Sequence, residues 1–131
     1  MTRRERSTRS SGDDGARKRR RSHRRGHLAE VAAAAYLMAK GHRILERRLK
    51  TPAGEIDLVA VKGRRLAFVE VKQRASFAEC EAAITPRLRD LVRRAANLWL
   101  ARRPRFHDYD QGFDLIFVTP WSWPRHLPDA L

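Results

Sequence analysis

The chain has 131 residues, with 29 Lys and Arg against 15 Asp and Glu, a formal net charge of +14. That length suits one domain, and 42% hydrophobic residues suffice for a modest core, so wholesale disorder is excluded. No run approaches the roughly 18 apolar residues of a membrane span, and the first residues carry no apolar leader. A single cysteine, Cys80, excludes an internal disulfide framework and points to a cytoplasmic setting.

The charge is unevenly spread. Residues 1–25 hold eleven basic side chains and three acids, with no large apolar residue beyond Met1. This Arg-rich tail is expected to be disordered. It reads either as an arm for nucleic acid or as a solubilising extension, the second including a start placed too far upstream. Residues 26–131 keep a surplus of six positive charges, which is the better reason to expect a polyanion, nucleic acid first.

Beyond the tail, Leu28, Val31, Ala32, Ala35, Tyr36 and Ala39 recur at helical spacing and Gly41 is a stop signal, predicting a first helix over about 26–40. The stretch 42–50 is strand-like though charged, and residues 51–54 (TPAG) make a turn. Residues 55–61 (EIDLVAV) and 66–72 (LAFVEVK) flank a turn at Gly63 and Arg64 and predict a hairpin. An acidic loop through Cys80 follows. Thr85 and Pro86 are an N-cap and first-turn pair for a second helix. Its apolar stripe is Leu88, Leu91, Val92, Ala95, Leu98 and Trp99. Residues 113–119 form a last strand. The order αβββαβ predicts an α/β domain over 26–120: an antiparallel three-strand meander, a crossover helix and a parallel fourth strand. Residues 121–131 read as a C-terminal tail packed on that domain.

The hairpin carries the chemistry. With the turn centred between Gly63 and Arg64, Val59 faces Phe68, Asp57 faces Glu70 and Glu55 faces Lys72. Opposed side chains on one face lie about 4.5–5.5 Å apart at Cβ. Two carboxylates at that spacing repel by roughly 3 kcal/mol at an effective dielectric near 20. Either Lys72 bridges the acids as an ordinary ion-pair cluster, or a divalent cation sits between them. Oxygen donors suit Mg²⁺ or Mn²⁺ rather than zinc.

Gly54, Glu55, Ile56 and Asp57, then thirteen residues to Glu70, Val71 and Lys72, resemble the PD-(D/E)xK nuclease signature. That signature belongs to the restriction-endonuclease-like fold, shared with archaeal Holliday-junction resolvases. With Ala29-Glu30, Tyr36-Leu37, residues 41–45, residues 68–74 and Phe113-Asp114, the chain is similar to the bacterial YraN-like family of predicted endonucleases over residues 26–128. The resemblance implies Asp57 and Glu70 as metal ligands, completed by the Val71 carbonyl, with Mg²⁺ or Mn²⁺ as cofactor. Lys72 would orient the attacking water, and Glu30 on the first helix would be a supplementary acid. Arg64, Arg65, Arg74, Arg87, Arg89 and Arg93 (with Arg94) would meet phosphates, though the helical ones also read as a solvated face. The implied activity is phosphodiester hydrolysis on DNA more than RNA, with a non-catalytic, structure-specific nucleic-acid-binding module as the alternative. The resemblance also allows a homodimer, since a junction needs two symmetric cuts.

The chain departs from the family's pattern at Ala29, Leu88 and Gly112, where Gly, Lys and a basic residue are usual. The five histidines show no zinc spacing, and Cys80 between Glu79 and Glu81 is a poor nucleophile. Trp121 and Trp123 could stack bases or pack the tail onto the body. Asp114 opens the last strand with no evident chemistry.

Overall fold

The computed structural model describes residues 26–131, so the basic tail 1–25 lies outside the described residues. Helix α1 covers residues 26–39. It ends where Gly41, at φ +92°, turns left-handed. The His42 amide then reaches Leu37 O at 2.9 Å and the Gly41 amide Met38 O at 3.0 Å, closing the helix as a Schellman cap.

Strands β1 (Arg43–Thr51), β2 (Gly54–Lys62) and β3 (Arg65–Gln73) form the antiparallel meander. The first turn is held by the Thr51 hydroxyl, which donates to Gly54 O at 2.7 Å and accepts from the Gly54 amide at 3.1 Å. Gly63, at φ +59°, supplies the left-handed residue of the second turn. Near the turn the β2–β3 register is the expected one, Val61 with Leu66 and Val59 with Phe68, but the ladder ends at Leu58–Val69, so the expected pairs Asp57–Glu70 and Glu55–Lys72 lie beyond it.

The segment read as an acidic loop contains a further helix, α2 (Phe77–Ala82), whose N-cap Ser76 accepts from the Glu79 amide at 3.2 Å. At six residues it is too short to show an apolar period, but its Ser-x-x-Glu spacing was a legible start signal. Helix α3 (Pro86–Ala101) begins as expected, with the Thr85 hydroxyl accepting from the Leu88 amide at 3.1 Å. A 3₁₀ turn (Pro104–Phe106) leads to β4 (Asp110–Val118), which pairs with β3 in parallel, and β5 (Arg125–Leu127) closes the sheet against β4. The five strands lie in the order β1-β2-β3-β4-β5. No helix among the described residues is long and apolar enough to cross a membrane.

The sheet is covered on both faces. Under α3, Val92, Ala95, Ala96, Trp99 and Leu100 close over Ile56, Val59, Leu66 and Phe68. Leu98 is exposed instead of Ala96 and Leu100, a small rotation of the expected stripe. Phe68 meets Trp99 edge-on at 5.8 Å and stacks on Phe113 at 5.6 Å, and truncating a core aromatic of this kind costs about 3–5 kcal/mol.

Helix α1 presents a different face from the one its spacing suggested. Ala29, Ala33, Ala34 and Leu37 are buried, while Leu28 and Val31 are exposed. Alanine against Ala60 and Ala67 of the sheet lets the helix approach closely, and that rotation carries Glu30 inward with it. Residues 125–131 return to the body through β5 and through Leu131, whose amide reaches Phe113 O at 3.1 Å.

Candidate active site

Asp57 sits where β2 loses its partners on both sides. The β1–β2 ladder pairs Arg47 with Leu58 and Leu49 with Ile56 but skips Arg48 and Asp57, and the β2–β3 ladder ends at Leu58–Val69. The fork so opened is filled by the Asp57 carboxylate, whose Oδ2 accepts from the Val71 amide at 2.8 Å. Arg48 stands opposite at φ +52°, a conformation that non-glycine residues adopt at some cost.

Glu70, on the next strand, lies close enough to Asp57 to feel its charge. Lys72 Nζ lies 3.2 Å from Glu70 Oε1. Burial, together with the neighbouring Asp57 charge, pushes the Glu70 carboxyl up to about 7, against the pull of Lys72. Asp57 is also raised, by burial first, although the Val71 amide, Lys72 and the Glu70 hydrogen bond oppose it and Glu30 adds to it. Two carboxyls this close cannot both carry charge without cost, and Glu70 is the one that the Asp57 charge raises.

Glu30 projects from α1 and is 4% exposed. Its Oε2 accepts from Arg48 Nε at 3.0 Å and its Oε1 lies 3.5 Å from Arg47 Nε. Oε1 has no hydrogen-bond partner among the described residues. Its charge is felt at Asp57, yet among the described residues no three His, Cys, Asp or Glu side chains converge as a metal cluster. Glu30 is thus held by arginines beside the carboxyl pair and does not join it.

Glu30, Arg48, Lys50, Glu55, Asp57, Glu70 and Val71 line one cleft of about 500 Å³. A second, of about 710 Å³, adjoins it through Gly26 and Val71 and is lined by Lys72, Gln73, Arg74 and Pro120. Lys72 stands between the two, touching Glu70 and facing the second. Arg48 and Lys50 went unnoticed in the sequence. Their only signal was the run of basic residues alternating along β1, which read as an ordinary charged strand.

The six arginines expected at phosphates separate. Arg74 lines the second cleft. Arg64 and Arg65 lie at the hairpin turn, roughly 20 Å along the strands from Asp57 at about 3.3 Å per residue. Arg64 pairs with Asp108 and covers the Tyr109 ring. Arg65 is committed to the interior: Nη1 and Nη2 reach the Asp114 carboxylate at 2.9 and 2.7 Å, and Nη2 also meets Asp129. Arg93 donates to Leu131 O at 3.1 Å and lies over the Phe113 ring, so it tethers the C-terminus. Arg87 and Arg89 are exposed on α3 and line neither cleft.

Asp114 acquires a role that the sequence did not disclose. It is fully buried and accepts from Arg65, from His126 Nε2 at 2.8 Å and from the Asp129 amide at 2.9 Å. Burial would raise its carboxyl, but those hydrogen bonds prevail and hold it well below the usual carboxylate range. Gly112 makes room for this: a Cβ there would collide with the Arg65 guanidinium. Cys80 is buried and its thiol is pushed up, by burial ahead of the Glu79 charge, which leaves it unreactive.

A five-stranded α/β fold with a carboxyl pair and a lysine at a strand fork defines the class, and comparison with known proteins defines the family. Residues 29–118 match the family described as "Uncharacterised protein family UPF0102". A UPF0102 protein of Rhizobium meliloti is 48% identical over 107 residues, 82% of this chain and 88% of its own length. One of Rhodopseudomonas palustris is 50% identical, covering 82% and 79%, and one of Methylorubrum extorquens is 49% identical, covering 93% and 94%. The chain belongs to the UPF0102 family. The family match ends before the loop that bears Trp121 and Trp123.

Proposed function

We propose that this protein is a metal-dependent endonuclease that hydrolyses phosphodiester bonds, in DNA rather than RNA, in keeping with its resemblance to the PD-(D/E)xK nucleases. The observation that carries the reading is the half-buried Asp57, fixed by the Val71 amide, beside the buried Glu70, whose carboxylate lies 3.2 Å from Lys72 Nζ. The donor set fits a hard divalent cation: Asp57, Glu70 and the Val71 carbonyl offer oxygen alone and would hold Mg²⁺ or Mn²⁺. Such an ion supplies Lewis acidity toward a phosphoryl oxygen and toward bound water.

The chain's own groups do the remaining work. Lys72, a donor at the boundary of the two clefts, orients the attacking water and stabilises the charge that builds on the phosphoryl oxygens. Arg74 and Lys50 draw the phosphate backbone toward the clefts.

One observation favours a second reading, a nucleic-acid-binding module without cleavage: Glu30 is neutralised by Arg48 and Arg47 instead of turning to the pair. Labelled branched, single-stranded and duplex DNA incubated with the full chain and Mn²⁺ separates the two. Cleavage by the wild type, lost in Glu70→Ala and in Lys72→Ala while Lys72→Ala still binds, supports the nuclease. Binding with no cleavage of any substrate selects the module. Equal loss of binding and cleavage in Lys72→Ala makes Lys72 structural.

A further inference from the structure

The loop between β4 and β5 carries two large rings with nothing to cover them. Trp121 is 103% exposed and Trp123 87%, whereas the third tryptophan, Trp99, is 4% exposed in the core. The expectation that this segment packs its tryptophans onto the body is not met. Exposed tryptophan is costly in water, and Trp121 carries a second cost, a left-handed backbone at φ +63°. Neither cost is offset by a contact of its ring.

The loop is pinned at both ends. Val118 O accepts the Arg74 amide at 3.3 Å on one side. On the other, Arg125 pairs with Phe117 and its guanidinium covers the Phe77 ring at 4.2 Å. Pro120 and Pro124 stiffen the segment between. Two residues span at most about 7 Å, so the rings start from neighbouring points on a braced backbone. Pro120 lines the same cleft as Lys72 and Arg74, which places the tryptophans beside a positively charged channel.

We propose that Trp121 and Trp123 are a stacking platform for unpaired bases of a nucleic-acid strand whose phosphates run past Lys72 and Arg74. This rests on the nucleic-acid reading above and narrows it to substrates with single-stranded character. Every base offers a π-face to an aromatic side chain, while a basic groove tracks the backbone. In an uninterrupted duplex those faces are already stacked, so the platform discriminates in favour of open strands. The chain's net charge of +14 favours this occupant over a basic or neutral protein surface.

The test is binding of fluorescein-labelled oligo-dT and of a duplex of equal length, by anisotropy, to the full chain in EDTA so that no strand is cut. Tryptophan emission is followed in the same titrations. Oligo-dT should quench the emission, and Trp121→Ala with Trp123→Ala should weaken oligo-dT binding about tenfold or more, the scale of stacking one base. Duplex affinity should change less than about twofold on the same scale, and Trp121→Phe with Trp123→Phe should recover most of the oligo-dT affinity. An alanine double variant that binds both DNAs like the wild type overturns the platform, leaves the nuclease reading intact and assigns the rings to a protein partner. Equal loss on both DNAs also overturns stacking. A wild type that binds neither DNA overturns the nucleic-acid reading together with the platform.

Discussion

Arg48 donates from Nε to Glu30 Oε2 at 3.0 Å while its own backbone, opposite Asp57, is turned left-handed at φ +52°. That conformation costs an L-residue about 1 kcal/mol or more. It persists because Glu30, its side chain 5% exposed, would otherwise be a buried carboxylate with Arg47 alone for company. Arg48→Ala should therefore destabilise the protein by about 2 kcal/mol, below the 3–5 of a fully buried pair because Arg48 is a third exposed. Adding Glu30→Gln should recover most of the loss in urea titrations. Additive effects of the two substitutions would make the pair an ordinary surface contact.

The neighbouring carboxyls of Asp57 and Glu70, both raised by burial, make a site that a divalent cation can occupy. Mn²⁺ or Mg²⁺ should raise the Tm of the wild type in a concentration-dependent way, since a ligand of the folded state alone stabilises by mass action. Asp57→Ala should abolish the shift. A wild-type Tm that ignores both ions would leave an ion-pair cluster bridged by Lys72.

Glu70 also sets a pH dependence. Its carboxyl rises from an ordinary 4.5 to about 7 on folding, so between those values the folded chain binds more protons than the unfolded one. Stability of the metal-free protein should fall as pH climbs through that window and level off above it. Glu70→Gln should flatten the slope. Mn²⁺ affinity should rise over the same window, because the cation displaces the proton.

Asp114 has the opposite sign. Its carboxyl is held low in the fold, so its contribution is present above the ordinary value of 3.8 and is lost as pH falls below it. Asp114→Ala leaves Arg65 and His126 facing a buried void and should cost on the order of 3 kcal/mol. Gly112→Ala should also destabilise, by driving the Arg65 guanidinium off Asp114. Thermal melts at neutral pH read both, and an unchanged Tm in Gly112→Ala would mean that Arg65 can reach Asp114 by another path.

The first four strands, the hairpin register near its turn and the N-cap at Thr85 were legible in the sequence because each depends on neighbours within a few positions, whereas β5, three residues inside the segment read as a tail, was too short to show a period. Alternation places Val59 opposite Phe68 whatever surrounds them, and Thr85-Pro86 starts a helix by satisfying its own first turn. The face of α1 was not legible. Six of its residues are alanine, and with Leu28, Val31, Leu37 and Met38 they make two overlapping stripes; the choice fell to what the sheet offered, the small side chains of Ala60 and Ala67.

By itself, then, the chain's order of residues determined the αβββαβ succession, though not the short α2 and β5, and brought Asp57, Glu70 and Lys72 to one end of one hairpin through period two and a two-residue turn. Tertiary structure decided which charges face each other across distant segments: Glu30 with Arg48, Asp114 with Arg65 and His126, Arg93 with the C-terminus. Those partners are far apart in sequence and carry the same side chains as any surface residue. Only burial, which removes water as the competing partner, makes one pairing prevail over the rest.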